Sequence, residues 1–408
     1  MSRLERVSTI LANCVLLVAV VGYVGCGSTS ITSSSLAPGP PNSPTSPTPT
    51  PTPTPTPPPP ATDKDLVTED VATGLTVPWS LAFAPDGRLF FTEQPGRLRV
   101  ITSQGLLTTP LLDVTATTAG GEAGTTGMDL DKNFATNGFL YMHYCLKTPS
   151  LHCQVVRVIV TPQNTATIDK VLLDYPLVGQ TDHTGGRLKV GPDNLLYLST
   201  GDHRIDMSAQ DLTSWNGKIL RMNLDGTAAA GNPFPQQNPY VYSYGHRDPQ
   251  GLAFDSSGQL YETEHGPVSN DEVNIIFKGK NYGWPLCVGI CHNPAWVDPI
   301  KLFNPQTAPP SGATFYYGAT IPGWDGTFLF AVLGLDGNTF AHHVHQLKFD
   351  KPSGTTITFE QILWQNVFGR IRDVAEGPDG FLYFSTSNIG QTANPHPGDD
   401  RIVRAKPK

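Results

Sequence analysis

Six times along this chain an apolar strand runs into a turn of Pro, Asp, Asn or Gly and returns as a strand rich in Leu, Phe and Tyr. The copies are residues 81–91 (LAFAPDGRLFF), 128–141 (MDLDKNFATNGFLY), 188–199 (LKVGPDNLLYLS), 252–261 (LAFDSSGQLY), 314–330 (a degraded copy ending in GTFLF) and 373–384 (DVAEGPDGFLYF). Pro and Asn favour tight turns for distinct backbone reasons, so each copy reads as a β-hairpin. Successive copies start roughly 45 to 65 residues apart, which is room for four strands and their loops. No long helical period lies between them. The pattern predicts an all-β fold, a six-bladed β-propeller of four-stranded antiparallel sheets. A β-sandwich, the rival all-β fold, has no need of one turn signature six times.

The propeller needs only residues 63–408. Ahead of it, Arg3 and Arg6 precede an apolar run from Ile10 to Val24 that ends at Gly25-Cys26-Gly27. A basic start and a short apolar run followed by small residues describe a signal peptide over 1–26. Cys26 after Tyr23-Val24-Gly25 resembles a lipobox, in which the Cys is lipidated; ordinary cleavage to a soluble product is the alternative. Residues 27–62, rich in Ser, Thr and Pro, cannot build a core and read as an extended, disordered linker. The expected location is therefore exported, periplasmic or cell-surface, with membrane tethering if Cys26 carries lipid. Export also makes disulfides of the close pairs Cys145 with Cys153 and Cys287 with Cys291. A zinc reading that adds the adjacent His152 and His292 lacks the Cys-x-x-Cys spacing. Formal charge is −8, about −9 without the leader's Arg3, Glu5 and Arg6, which argues against nucleic acid as a partner.

Three polar clusters sit directly before repeat units: Asp182-His183, Arg247-Asp248, and Arg370 with Arg372-Asp373. The shared position puts all three at one end of the propeller, where loops converge on the axis. His183 there has the pKa range of a general base, although a loop His is also commonly solvated or bonded to backbone. Arg370 and Arg372, two apart on an extended segment, point the same way. Three convergent Arg suit an anion such as a carboxylate. The plainer alternative is that Arg372 and Arg247 pair with Asp373 and Asp248. A fourth segment, Glu264 to Asn274 followed by Asn281-Tyr282-Gly283-Trp284-Pro285, gathers carboxylates and amides in a Gly/Pro loop. Its oxygens suit calcium, and equally a solvated acidic loop.

Taken in order, Asp182-His183-x-x-Gly186-Arg187-Leu188, Gly245-His246-Arg247-Asp248-Pro249-Gln250-Gly251-Leu252, Glu264-His265-Gly266-Pro267, Asp271-Glu272, Asn281-Tyr282-Gly283-Trp284-Pro285 and Arg370-x-Arg372-Asp373 resemble the soluble PQQ-dependent glucose/sorbosone (aldose sugar) dehydrogenase family. The resemblance implies an enzyme that binds pyrroloquinoline quinone (PQQ) and Ca2+ and oxidises the anomeric carbon of an aldose to a lactone, passing electrons to an external acceptor. It makes His183 the general base, and Asp182 a residue that holds the sugar or orients that base. Arg247 lies near the reacting quinone oxygen. Glu122, Asp248 and His265 contact the cofactor, and Arg370 and Arg372 bind its carboxylates. The carbonyls of Gly266 and Pro267 hold the cofactor's calcium, and Glu272 with the Tyr282 carbonyl a structural one.

The chain departs from the family's pattern in three places. Glu122 stands where a Gln is familiar and Asp248 where Asn is common. A cofactor-binding Lys expected after Trp324 is missing, since no Lys occurs between Thr327 and Gln346. In that stretch His343 and His345 share a strand face, which suits a metal, or surface and structural roles. A calcium-dependent propeller lactonase and a non-catalytic, tethered binding propeller are the rival readings.

Overall fold

The computed structural model describes residues 59–114, 121–335, 337–392 and 395–408. The signal peptide, its Cys26 and nearly all of the linker lie outside the described residues. At the linker's end Ala61 is already packed against the domain. Its N–H donates to the Pro322 carbonyl at 2.9 Å, and its carbonyl accepts Trp324 Nε1 at 2.8 Å and Gln361 Nε2 at 2.9 Å.

Six antiparallel sheets form a β-propeller. The two inner strands of each blade are Pro78–Phe83 with Leu89–Glu93, Thr125–Leu130 with Phe139–Leu146, Gly185–Val190 with Leu195–Thr200, Pro249–Phe254 with Leu260–Glu264, Pro310–Tyr316 with Thr327–Val332, and Ile371–Glu376 with Leu382–Thr386. All six sequence repeats fall on these inner hairpins, the degraded copy included. In the third, Asn194 closes the turn at φ 64°, a conformation Asn tolerates better than branched residues. The ring closes through the amino-terminal strand Leu66–Ala72, which pairs with Ile402–Pro407 as the outermost strand of the last blade.

Apolar faces of neighbouring blades bury one another. Leu188, Leu196, Leu198 and Met222 of the third blade pack with Tyr141, Val155 and Tyr175 of the second. The innermost strands neighbour each other around the axis. Between them lies a polar plug. The Arg187 guanidinium stacks 4.0 Å from the Trp79 ring and pairs with Asp373 at 3.2 Å, and Arg187 Nε donates to the Gln250 carbonyl at 2.9 Å. The plug floors one end of the axis and leaves a cavity above it. Both local Cys pairs are disulfides, Cys145–Cys153 across two adjacent strands and Cys287–Cys291 within one loop.

Candidate functional site

Every innermost strand starts at the same end of the ring, so the residues just ahead of these strands meet around the axis. Glu122 precedes the second blade, Asp182 and His183 the third, Arg247 and Asp248 the fourth, while Arg370 and Arg372 flank the first residue of the sixth. There a cavity of about 750 Å³ opens, within the range of small-molecule sites. Its lining includes Trp79, Glu122, Asp182, His265, Arg370 and Arg372. A second, ion-sized cavity of about 20 Å³ shares His265 with it and is bounded by Arg247, Glu264, Gly266, Pro267, Glu272 and Tyr282. The fold thus brings most of the residues read from sequence onto two adjoining cavities, while His183, 5% exposed, directly follows the lining residue Asp182 and the buried Asp248 directly follows Arg247.

His183 is held in a defined orientation. Its Nδ1 lies 2.7 Å from Asp202 Oδ1, and no described residue bonds its Nε2. Asp202 is fully buried and accepts Trp284 Nε1 at 2.7 Å and the Arg204 backbone N–H at 2.8 Å. With the carboxylate on Nδ1, that nitrogen carries the proton and Nε2 presents the lone pair a base needs. Burial pulls the His183 pKa down, but the Asp202 hydrogen bond and the Asp248 charge outweigh it, and the net shift is upward. The orienting carboxylate is therefore Asp202, not Asp182. Asp182 instead lines the cavity and pairs with Arg204 at 3.5 Å. Asp202 was within view in sequence as part of Thr200-Gly201-Asp202, but nothing local links it to His183. What brings them together is a close backbone approach. A Cβ on Gly201 would sit 1.9 Å from the His183 carbonyl oxygen, so only Gly lets this loop fold back.

The Arg residues do not pair with their neighbours in sequence. Asp373 goes to Arg187 and to the Leu81 N–H at 2.8 Å. Asp248 accepts Gln250 Nε2 at 2.9 Å and the Gly185 N–H at 3.3 Å. Arg247 reaches the Gly266 carbonyl at 2.8 Å and lies 5.3 Å from the Trp284 ring centroid. Arg372, 8% exposed, has only long contacts, to Gln250 Oε1 at 3.4 Å and Ser311 Oγ at 3.5 Å. Burial first, then the neighbouring Arg370 charge, push its pKa down to about 9. A buried cation that no carboxylate of the described residues hydrogen-bonds, facing a cavity, is a fitting partner for an anionic group such as a PQQ carboxylate.

Where the family's Lys was expected, the cavity wall is Leu333, Gly334, Leu335 and Asn338. The Gly334 carbonyl accepts Arg370 Nη1. His343 and His345, just beyond, are both buried and not at the surface. His343 Nε2 meets His345 Nδ1 at 3.0 Å, and His345 Nε2 meets Glu360 at 2.9 Å, a structural pairing between strands.

The small cavity fits a calcium-sized ion. Burial first, then the Glu264 charge, push the Glu272 carboxyl up to about 8. Glu262, two residues from Glu264 and fully buried, keeps Oε1 without a hydrogen bond. Carboxylates in such surroundings are stabilised by a cation, and carbonyl oxygens complete the kind of donor set Ca2+ takes. Gly266, Pro267, Glu272 and Tyr282 all bound this cavity.

A family model described as Glucose / Sorbosone dehydrogenase matches residues 75–393. The chain is 30% identical over 330 residues to the aldose sugar dehydrogenase YliI of Escherichia coli, covering 76% of this chain and 86% of that protein. It is 32% identical over 249 residues to quinoprotein glucose dehydrogenase B of Acinetobacter calcoaceticus, covering 54% of this chain and 52% of that one. Among solved structures, the PQQ-bound aldose sugar dehydrogenase of Streptomyces coelicolor superposes with a TM-score of 0.72 at 30% identity, covering 84% of this chain and 98% of that chain. Together with the ordered motifs and the six blades, these matches establish that the chain belongs to the glucose/sorbosone dehydrogenase family of soluble quinoprotein-type sugar dehydrogenases.

Proposed function

We propose that the protein oxidises an aldose at its anomeric carbon to the lactone with PQQ and Ca2+ bound, and passes the electrons to an external acceptor. One observation carries the reading: His183, oriented by Asp202, directly follows Asp182, which lines the same cavity as Arg370 and Arg372. Arg370 and Arg372 would hold the PQQ carboxylates, with Arg247, Glu122, Asp248 and His265 around the rest of the cofactor. Carbonyls of Gly266 and Pro267, with Glu272 and Tyr282, would hold calcium. PQQ supplies the hydride acceptor and Ca2+ a Lewis acid beside it. His183 Nε2 takes the proton of the C1 hydroxyl. Asp202 fixes the ring and stabilises the imidazolium that forms. Arg247 stabilises negative charge that develops in the cavity. The tethering linker and a lipidated Cys26 would place the enzyme at a membrane surface outside the cytoplasm. The direct test is a titration of the metal-loaded protein with PQQ, followed by quinone absorption. Saturation at one equivalent is expected, and absence of binding would remove the reading.

The base must be neutral to act, so turnover should rise with pH through the His183 pKa, at a pH above that of a free imidazole. Asp202→Asn removes the charge that raises this pKa. It should move the rising limb to lower pH and cut kcat by roughly 10- to 100-fold, part of what a positioned base contributes. A pH–kcat profile of the two proteins checks both effects.

Calcium should matter more for stability as pH rises. The Glu272 pKa lies above its ordinary 4.5, so in metal-free protein the stability present at low pH is lost as pH rises from about 4.5 through about 8. Calcium restores what ionisation costs. The gain in Tm on adding Ca2+ to chelator-stripped protein should therefore be larger at pH 8 than at pH 5, by thermal denaturation at each pH.

A further inference from the structure

Glu122, Asp248 and His265 bring three ligand atoms within 4.8 Å of one another, and two of the three residues, Glu122 and His265, line the larger cavity. They come from three separate segments, ahead of the second blade, ahead of the fourth, and after the fourth blade's inner hairpin. The His265 ring is fixed from behind, with Nε2 donating to the Pro310 carbonyl at 2.8 Å. A His held this way carries its proton on Nε2 and turns the Nδ1 lone pair forward, as metal-binding imidazoles do. Facing that lone pair at 3.4 Å is Asp248 Oδ2. This oxygen is buried on a residue of 0% exposure and has no hydrogen bond, while Oδ1 takes up the Gln250 and Gly185 donors. The two atoms thus face each other at a distance longer than a good hydrogen bond. Two ligand atoms about 2.1 Å from one metal, at a tetrahedral angle, are about 3.4 Å apart.

Glu122 supplies the third ligand. Its Oε2 accepts Gln250 Nε2 at 3.2 Å and the Thr184 N–H at 3.3 Å, both long contacts, and no described residue hydrogen-bonds its Oε1. Gln250 bridges Glu122 and Asp248 and orients both carboxylates, a supporting role outer groups play around metals.

We propose that Glu122, Asp248 and His265 form a binding site for a first-row divalent metal such as zinc, separate from the calcium positions around Gly266, Pro267 and Glu272. One imidazole with two carboxylates is a donor set for such metals, whereas calcium takes oxygens alone. The site faces the cavity that Arg370 and Arg372 line, leaving an open coordination position toward a ligand there. Where the PQQ reading holds, the metal adds to the Arg372 charge already facing these two carboxylates, in a cavity without the family's Lys. The site itself rests only on the three residues.

The test uses the chelator-stripped domain with its linker, without quinone, in excess Ca2+ so that the oxygen-only positions are filled. Titration calorimetry with ZnCl2 should show one equivalent bound. Affinity should fall by at least about tenfold in Asp248→Asn and in Glu122→Gln, both nearly isosteric. If one variant does not fold by circular dichroism, the other decides. No zinc uptake in excess calcium, or uptake that both folded variants retain, would overturn the proposal. PQQ binding is measured separately, so failure here leaves the quinone reading standing and failure there leaves this one.

Discussion

In His183→Ala, kcat for aldose oxidation by the PQQ-loaded protein is expected to fall by about 10²- to 10⁴-fold, the range a positioned general base contributes. PQQ affinity should change little, because the Arg cluster lies on another blade. The reason for the large effect is geometric. Nδ1 is committed to Asp202, and Nε2 has no partner among the described residues, so the ring has one basic site and one orientation. No other neutral imidazole replaces it. His203 is buried with Nδ1 against the Gln180 carbonyl, and His265 is fixed to Pro310. Steady-state kinetics with a PQQ titration of the variant separate the two quantities. An equal loss in both would place His183 in cofactor binding instead.

Arg372→Leu should act on the cofactor. Removing one partner of a buried charge pair costs about 2–5 kcal/mol, so PQQ affinity is expected to fall by about 30- to several-thousand-fold. The same substitution should leave the Tm of the cofactor-free protein unchanged or raise it. Arg372 is buried beside Arg370, its hydrogen-bond contacts among the described residues are long, and its pKa is pushed down despite the Glu122 and Asp248 charges, so in the free protein it is an incompletely compensated cation. A purely structural arginine would show the opposite, a lower Tm and unaltered PQQ affinity. Thermal melts and quinone titration of one variant distinguish the cases.

The inner half of every blade was legible because each inner hairpin repeats a turn that only a few residues can make. The degraded copy was found through its Gly326-Thr-Phe-Leu-Phe strand, which lies in Thr327–Val332. The outer strands share no such signature. The closing strand Leu66–Ala72 pairs with residues more than 300 positions away, a contact no local pattern encodes.

The site divides in the same way. Residues ahead of repeats could be placed at one end because the repeat fixes strand direction. Pairings inside the site could not. Arg372 and Asp373 sit at an irregularity in their strand's pairing, and the structure sends Asp373 to Arg187 in the plug. Asp202 escaped because its contact with His183 depends on the fold-back at Gly201. The resemblance gave Asp182 the role of holding the sugar or orienting the base, and of these the structure gives the orienting contact to Asp202. The absence of a Lys near Leu333 to Leu335 was plain in sequence, but the cluster of Glu122 and the fixed His265 in that cavity with the buried Asp248 emerged only from three segments meeting in space.

The central claim is that a bound quinone takes a hydride from an aldose while His183 takes the proton. The most direct measurement is a single turnover without an external electron acceptor: the protein loaded with PQQ and Ca2+ is mixed anaerobically with excess aldose, and the absorption of the bound quinone is followed. One equivalent of quinone should be reduced rapidly in the wild type and at least about 100-fold more slowly in His183→Ala. A stoichiometrically bound quinone that no aldose in a broad panel reduces, or reduction at the same rate without His183, would contradict it.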